Sequence, residues 1–147
     1  MKKSIVAICA LVFSIFASYA IAANKITNQV YTVAATNDEW TDTNMKVSSG
    51  DLLITTEPGN KIVIGSFLGS VDANGESSGV GALFLKIGVG AGMRIGRRSL
   101  IEVTEPGVVK LRVYDTKYSD NSGSFHVSII HIPASLIPPA QVVDSVQ

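Results

Sequence analysis

The sequence predicts an all-β protein, a small antiparallel β-sandwich carried behind a cleaved secretory leader. Three observations predict it. The chain beyond the leader shows no helical apolar period. It shows instead short β-branched runs separated by Gly, Pro, Asn, Asp and Ser, at the spacing of an antiparallel sandwich. Its apolar residues are concentrated at the N-terminus, so an overall mean hydropathy of +0.32 overstates how apolar the remainder is.

The leader is justified first. Lys2 and Lys3 are followed by an almost unbroken apolar run over residues 4–19, then by Ala20-Ile21-Ala22, a small-x-small site. This is the layout of a signal peptide, and the run is short for a membrane-spanning helix. Residues 1–22 are therefore expected to be removed, Cys9 with them. The expected protein is exported, periplasmic or secreted, without cysteine, and not membrane-bound after cleavage. In the whole chain 12 Lys and Arg are matched by 12 Asp and Glu, so no basic footprint for nucleic acid exists. With one Cys, neither a disulfide framework nor a Cys-ligated zinc site is expected.

Residues 23–132 then read as one domain of eight strands: 29–34, 45–48, 51–57, 61–66, 82–87, 99–104, 108–115 and 124–132. Alternation assigns faces in the last two. Val109, Leu111 and Val113 point inward with Lys110 and Arg112 outward; Phe125, Val127 and Ile129 point inward with His126 outward. Glu57-Pro58-Gly59-Asn60 and Glu105-Pro106-Gly107-Val108 both put Pro and Gly at turn centres, which predicts a type II turn at each. The flanks of these matching words do not repeat. Residues 133–147, with Pro133, Pro138 and Pro139, form a tail that is either loose or laid along a sheet edge.

Catalytic signals are weak, and no enzyme is expected. No nucleophile elbow is read, and no carboxylate pair stands out. His126 and His131 lack ligand spacing. Gly88-Val89-Gly90-Ala91-Gly92-Met93 has Met93 where a dinucleotide loop needs its third glycine, and reads as a hairpin connection. Arg94, Arg97 and Arg98 beside it read as a solvated basic tip. The most informative stretch is 115–123, where Asp115, Asp120 and Asn121 crowd hard oxygen donors between two strong strands. By composition it is an ordinary polar turn or a calcium loop.

At this loop the sequence resembles the PA-IL-like, calcium-dependent galactophilic lectins of bacteria. Gly81-Ala82-Leu83-Phe84-Leu85-Lys86-Ile87-Gly88 is similar to that family's Gly-Ala-Leu…Lys-Ile-Gly strand. Val109-Lys110-Leu111-Arg112-Val113-Tyr114-Asp115 is similar to its ITLIYND-type strand, and Asp120-Asn121-Ser122-Gly123-Ser124-Phe125 to the NNSGSF ending of its loop. Gly50-Asp51, Gly59 and Trp40-Thr41-Asp42-Thr43 extend the likeness upstream, over roughly residues 40–132.

The resemblance implies a galactose-binding-domain or jelly-roll-like sandwich with one Ca2+ at its apex, whose shell is completed by the vicinal hydroxyls of galactose or a similar sugar. It implies metal ligation by the side chains of Asp115, Asp120 and Asn121 and by the carbonyls of Val63 and Lys117, with segment 63–66 as the opposite wall. Asp115, Thr116, Asp120 and Asn121 would touch the sugar. The departures are specific. The step from Asp115 to Asp120 is two residues shorter than in the family, so the register of Lys117 is open. Asp120 stands where the family has Asn, and Val63 where it has a sugar-contacting Tyr. The long loop is cut to residues 75–80, which implies a shallower pocket.

The expected function is calcium-dependent carbohydrate binding. The alternative is a non-catalytic structural or protein-interaction module in which calcium, if bound, only stabilises the loop. A homo-oligomer would add avidity, but no interface is legible.

Overall fold

The computed structural model describes residues 25–65 and 69–139; the expected signal peptide lies outside the described residues. Two four-stranded antiparallel sheets face each other. One has the order β1 (Thr27–Ala34), β10 (Ser124–Ile132), β3 (Leu52–Thr56), β8 (Arg98–Glu102). The other has the order β2 (Thr41–Val47), β9 (Gly107–Val113), β6 (Leu83–Ile87), β7 (Met93–Arg94). A short ribbon of β4 (Ile62–Ile64) and β5 (Gly69–Val71) closes one side. The all-β antiparallel sandwich expected from the sequence is the fold observed.

The core is what alternation dictates. Val109, Leu111 and Val113 on β9 and Phe125, Val127 and Ile129 on β10 are all fully buried, facing Leu53, Leu83 and Leu85. His126 is on the outward face, where its Nδ1 meets the Thr32 hydroxyl at 3.2 Å. Lys110 and Arg112 also point outward but are half-buried, because Trp40 lies over that face. Lys86 and Arg112 stack 4.6 Å and 4.9 Å from the centre of its ring, and Lys110 pairs with Asp42 at 3.6 Å. A cation over an indole face is attracted by the ring quadrupole.

Several local expectations need correction. Strands β5 and β7 were not expected, and β2 begins at Thr41 rather than at residue 45. They are short or polar: β7 has two residues, both exposed, so no apolar alternation announces it. The two Pro-Gly words also differ. Gly59 has φ 102, as the third position of a type II turn requires, and the buried Glu57 carboxylate caps the turn by accepting from the Gly59 and Asn60 amides. Gly107 is not in the positive-φ region; it opens β9. Its need for glycine is steric, since a Cβ there would stand 2.7 Å from the Gly88 nitrogen. Arg94 is exposed, as expected of a basic tip, but it is also anchored. Its guanidinium donates to the carbonyls of Asn74 and Glu76, which fastens the β6–β7 hairpin to loop 72–80.

The end of the sheet near the start of β1 is closed by Asp51. This buried carboxylate accepts from the Ser48 amide (2.8 Å), His131 Nε2 (2.7 Å) and the Ala134 amide (2.9 Å). The last bond docks the segment that follows β10. Burial pushes the Asp51 carboxyl up, but the amides of Ser48 and Ala134 and the His131 ring outweigh it and hold it below its usual range.

A folded-state value below the unfolded one means stability that is present above about pH 4 and is lost as pH falls through the folded value. Wild type should therefore melt progressively lower on acidification below pH 4. Asp51→Asn should melt lower at pH 7 and show a flatter acid limb, measured by thermal melts from pH 2 to 7. Equal acid limbs in the two proteins would show that Asp51 does not carry this dependence.

Candidate functional site

Loop 115–123 runs from β9 to β10 at the opposite end of the sandwich. Ala35, just past β1, donates its amide to the Gly123 carbonyl (3.0 Å). On the other side Val63 and Ser122 exchange both backbone hydrogen bonds, at 2.9 Å and 3.0 Å. The Val63 carbonyl is thus brought to the loop, where it accepts the Ser122 amide. Residues 66–68, which include the far end of the expected opposite wall, lie outside the described residues.

Asn121 is the buried centre of the loop. Its Nδ2 donates to the Ala35 carbonyl (3.1 Å) and to Asp115 Oδ2 (2.8 Å), and its Oδ1 accepts the Gly65 amide (3.2 Å). Two acceptors on one side and a donor on the other leave a single sensible orientation for the amide. Asp115 is half-buried. Its Oδ1 accepts the Thr116 amide at 2.6 Å and the Lys117 amide at 3.4 Å, which folds the loop back on the carboxylate. The Asp115 amide in turn donates to the Tyr118 hydroxyl (3.0 Å).

Asp120 is exposed and sits beside Gly65, whose position for a Cβ is 3.3 Å from Asp120 Oδ2. Lys117 Nζ lies 2.8 Å from the same oxygen. The two charges act on each other: the Asp120 hydrogen bond raises the Lys117 ammonium above its usual value, and Lys117 holds the Asp120 carboxyl below its own. A single 3-10 turn, Tyr118–Asp120, makes this contact by placing positions 117 and 120 on one side. The resemblance implies a ligating carbonyl at Lys117 with its register open; the structure adds a pairing of its side chain with Asp120. The missed signal was the i, i+3 charge spacing, which only helical backbone brings together.

Asp115, Asp120, Asn121 and the Val63 strand are therefore gathered at one apex, although Val63 is distant in sequence. Thr116 contributes its amide, and its side chain is exposed. Ala35 was not anticipated, and Gly65 was expected only as part of the opposite wall, because backbone groups carry no side-chain signal. Among the described residues no three His, Cys, Asp or Glu side chains gather as a metal cluster, so the loop offers two carboxylates supplemented by amide and main-chain oxygens. Those are hard donors suited to Ca2+. Asn121 Oδ1 and the Val63 carbonyl each accept one hydrogen bond, and each sp² oxygen retains a second lone pair. The donor set fits the ion, with the Lys117 ammonium standing where it would compete.

One word was overlooked in the sequence. Gly75-Glu76-Ser77-Ser78-Gly79 has the Gly-x-Ser-x-Gly spelling of a nucleophile elbow. In the structure it belongs to a chain of tight turns between β5 and β6, closed by Glu76 N–Val80 O (2.8 Å) and Gly79 N–Glu76 O (2.9 Å). An elbow needs a strand-to-helix turn, and no such turn is formed here.

No protein-family model matches the sequence, and no curated protein matches it. The fold does match a solved domain described as the EclA N-terminal domain, a PllA-like lectin, with a TM-score of 0.57 and 23% identity. The match covers 69% of this chain and 94% of that one. The class thus defined is a β-sandwich with the fold of a lectin domain.

The orientation of Asn121 is directly testable. Asn121→Asp preserves shape but turns a donor into an acceptor facing the Asp115 carboxylate and the Ala35 carbonyl. Removing compatibility at a buried polar site costs about 1–3 kcal/mol, and an unpaired buried charge about 3–5 kcal/mol. Urea denaturation at pH 7 in chelator should rank the proteins wild type, then Asn121→Ala, then Asn121→Asp. An aspartate variant as stable as wild type would refute the assigned amide geometry.

Proposed function

We propose that this protein is an exported, calcium-dependent carbohydrate-binding protein without catalytic activity. The observation that carries the reading is the convergence of Asp115, Asp120, Asn121 and the Val63 carbonyl at one apex of a sandwich shared with a lectin domain. Export rests on the N-terminal pattern of Lys2, Lys3, apolar run and Ala20-Ile21-Ala22. When bound, Ca2+ would supply a centre that takes two vicinal sugar hydroxyls in one chelating geometry. Asp115, Asp120, Asn121, the Val63 carbonyl and, with its register open, the Lys117 carbonyl would hold it. Asp115, Thr116, Asp120 and Asn121 would orient the sugar by accepting from or donating to its hydroxyls.

The Asn121 amide fixes Asp115 and the β4 end before any ligand arrives, so little ordering entropy remains to oppose binding. The Lys117 ammonium neutralises Asp120 and must swing away to free the carboxylate. It is exposed on a long stem, where solvent screening and side-chain entropy keep ion pairs weak, so it is readily displaced.

The same ion pair favours a second reading, a structural or interaction module. Lys117 already balances Asp120, and Asn121 already bridges three segments, so the loop closes without metal.

Thermal melts in chelator, in Ca2+ and in Ca2+ with a panel of monosaccharides separate the two. At a Ca2+ concentration a hundredfold above Kd the expected stabilisation is about 2.7 kcal/mol, a rise of several degrees. Asp115→Ala should abolish it, and Lys117→Ala should tighten Ca2+ in calorimetry. A further shift with galactose or another sugar bearing vicinal hydroxyls supports the lectin reading. No shift with Ca2+ overturns it, and a Ca2+ shift with no response to any sugar favours the module.

A further inference from the structure

At the end of the sandwich remote from loop 115–123 a cleft of about 620 Å³ opens between the start of β1, the middle of β2 and the segment after β10. The eight residues of β1 separate the two ends by about 25 Å, at roughly 3.3 Å per residue. The volume falls within the roughly 300–1,000 Å³ usual for small-molecule sites. Three independent features meet in it.

The first is its floor. Asp51 is buried and its oxygens are taken by Ser48, Ala134 and His131. The bond to Asp51 from Nε2 fixes the His131 ring. The second is its wall. The pairing of β2 with β9 shifts register between Asp42 and Lys46, and Asn44 within that shift has φ 56, the one non-glycine residue in the positive region among those described. Bulges re-aim side chains, and a strained residue persists only where its surroundings hold it. Here the Asp42 carboxylate holds the Asn44 amide at 2.7 Å.

The third is charge. Lys25 and Lys46 line the cleft, are exposed, and make no ion pair among the described residues. Among the described residues Asp51 is the sole carboxylate in the lining, and it is consumed internally. The solvent-facing charge of the cleft is therefore positive, although the chain as a whole has a formal net charge of zero. Thr27, Gln29 and Asn44 add neutral donors and acceptors of the kind that meet hydroxyls.

We propose that this cleft is a second binding site, independent of calcium, for a negatively charged sugar: a hydroxylated ring bearing a carboxylate or sulfate. Lys25 and Lys46 receive the anionic group, and the β2 bulge and His131 face the hydroxyls. Nothing in it depends on loop 115–123.

The test is NMR titration of the full protein in calcium-free buffer with glucuronate, glucose, acetate and sulfate in separate arms. Glucuronate should shift the amides of Asn44, Met45, Lys46 and Ser48 and the His131 ring, and glucose should not at equal concentration. Acetate and inorganic sulfate should bind at least about tenfold more weakly, since they lack the ring. Lys25→Glu/Lys46→Glu, two exposed changes, should weaken glucuronate about tenfold or more while the melting midpoint stays near wild type. Glucose binding as well as glucuronate would overturn the proposal, as would simple anions binding as well, unaltered affinity in the double variant, or no shift with glucuronate. Because every arm lacks calcium, failure here leaves the apex reading standing, and failure at the apex leaves this one standing.

Discussion

The side-chain amide of Asn121 is the joint on which the apex depends. It links the end of β1 through the Ala35 carbonyl, the end of β9 through Asp115 and the end of β4 through Gly65. Only a group with donors on one arm and an acceptor on the other satisfies that triangle. Leucine would strand three polar groups, and aspartate would set two anions together. A buried amide so fully used is a structural part first. Any ligand at the apex therefore meets a framework already assembled.

The two ends of the sandwich handle charge in opposite ways. At the apex Asp120 and Lys117 pair in solvent, where screening and side-chain entropy keep such pairs weak and exchangeable. At the far end Asp51 is enclosed, with two amides and an imidazole on its oxygens, and it fastens the segment after β10 to the start of β3. A replaceable charge suits a place where a cation could enter. A fixed one suits a floor that orients a neighbouring ring. The same residue type thus performs a mobile role and a rigid one, and burial makes the difference.

The strand interiors were legible because alternation is a local property. The inward set of β9 and β10 could be named from a two-residue period, and each of those side chains is buried. The loop was legible as a concentration of oxygen donors. Elements without a period were not: β7 consists of two exposed residues, and the first half of β2 is polar. Identical Thr-Glu-Pro-Gly words took different conformations because one turn is capped by its own Glu57 while Gly107 is pressed against Gly88 from another strand.

By itself the sequence determined the class of fold and the inward faces of β9 and β10, and it marked 115–123 as a loop crowded with oxygen donors. Burial pattern and turn chemistry act between near neighbours in the chain, so they can be read along it. Tertiary structure alone decided which atom faces which. It turned the Asn121 amide toward Ala35, 86 positions away, and joined Asp51 to His131 across 80 positions. It also gave Lys117 to Asp120 through one 3-10 turn and placed Lys25 and Lys46, without an ion pair among the described residues, beside a cleft. Such contacts are set by sheet register and layer packing, which no short window of sequence contains.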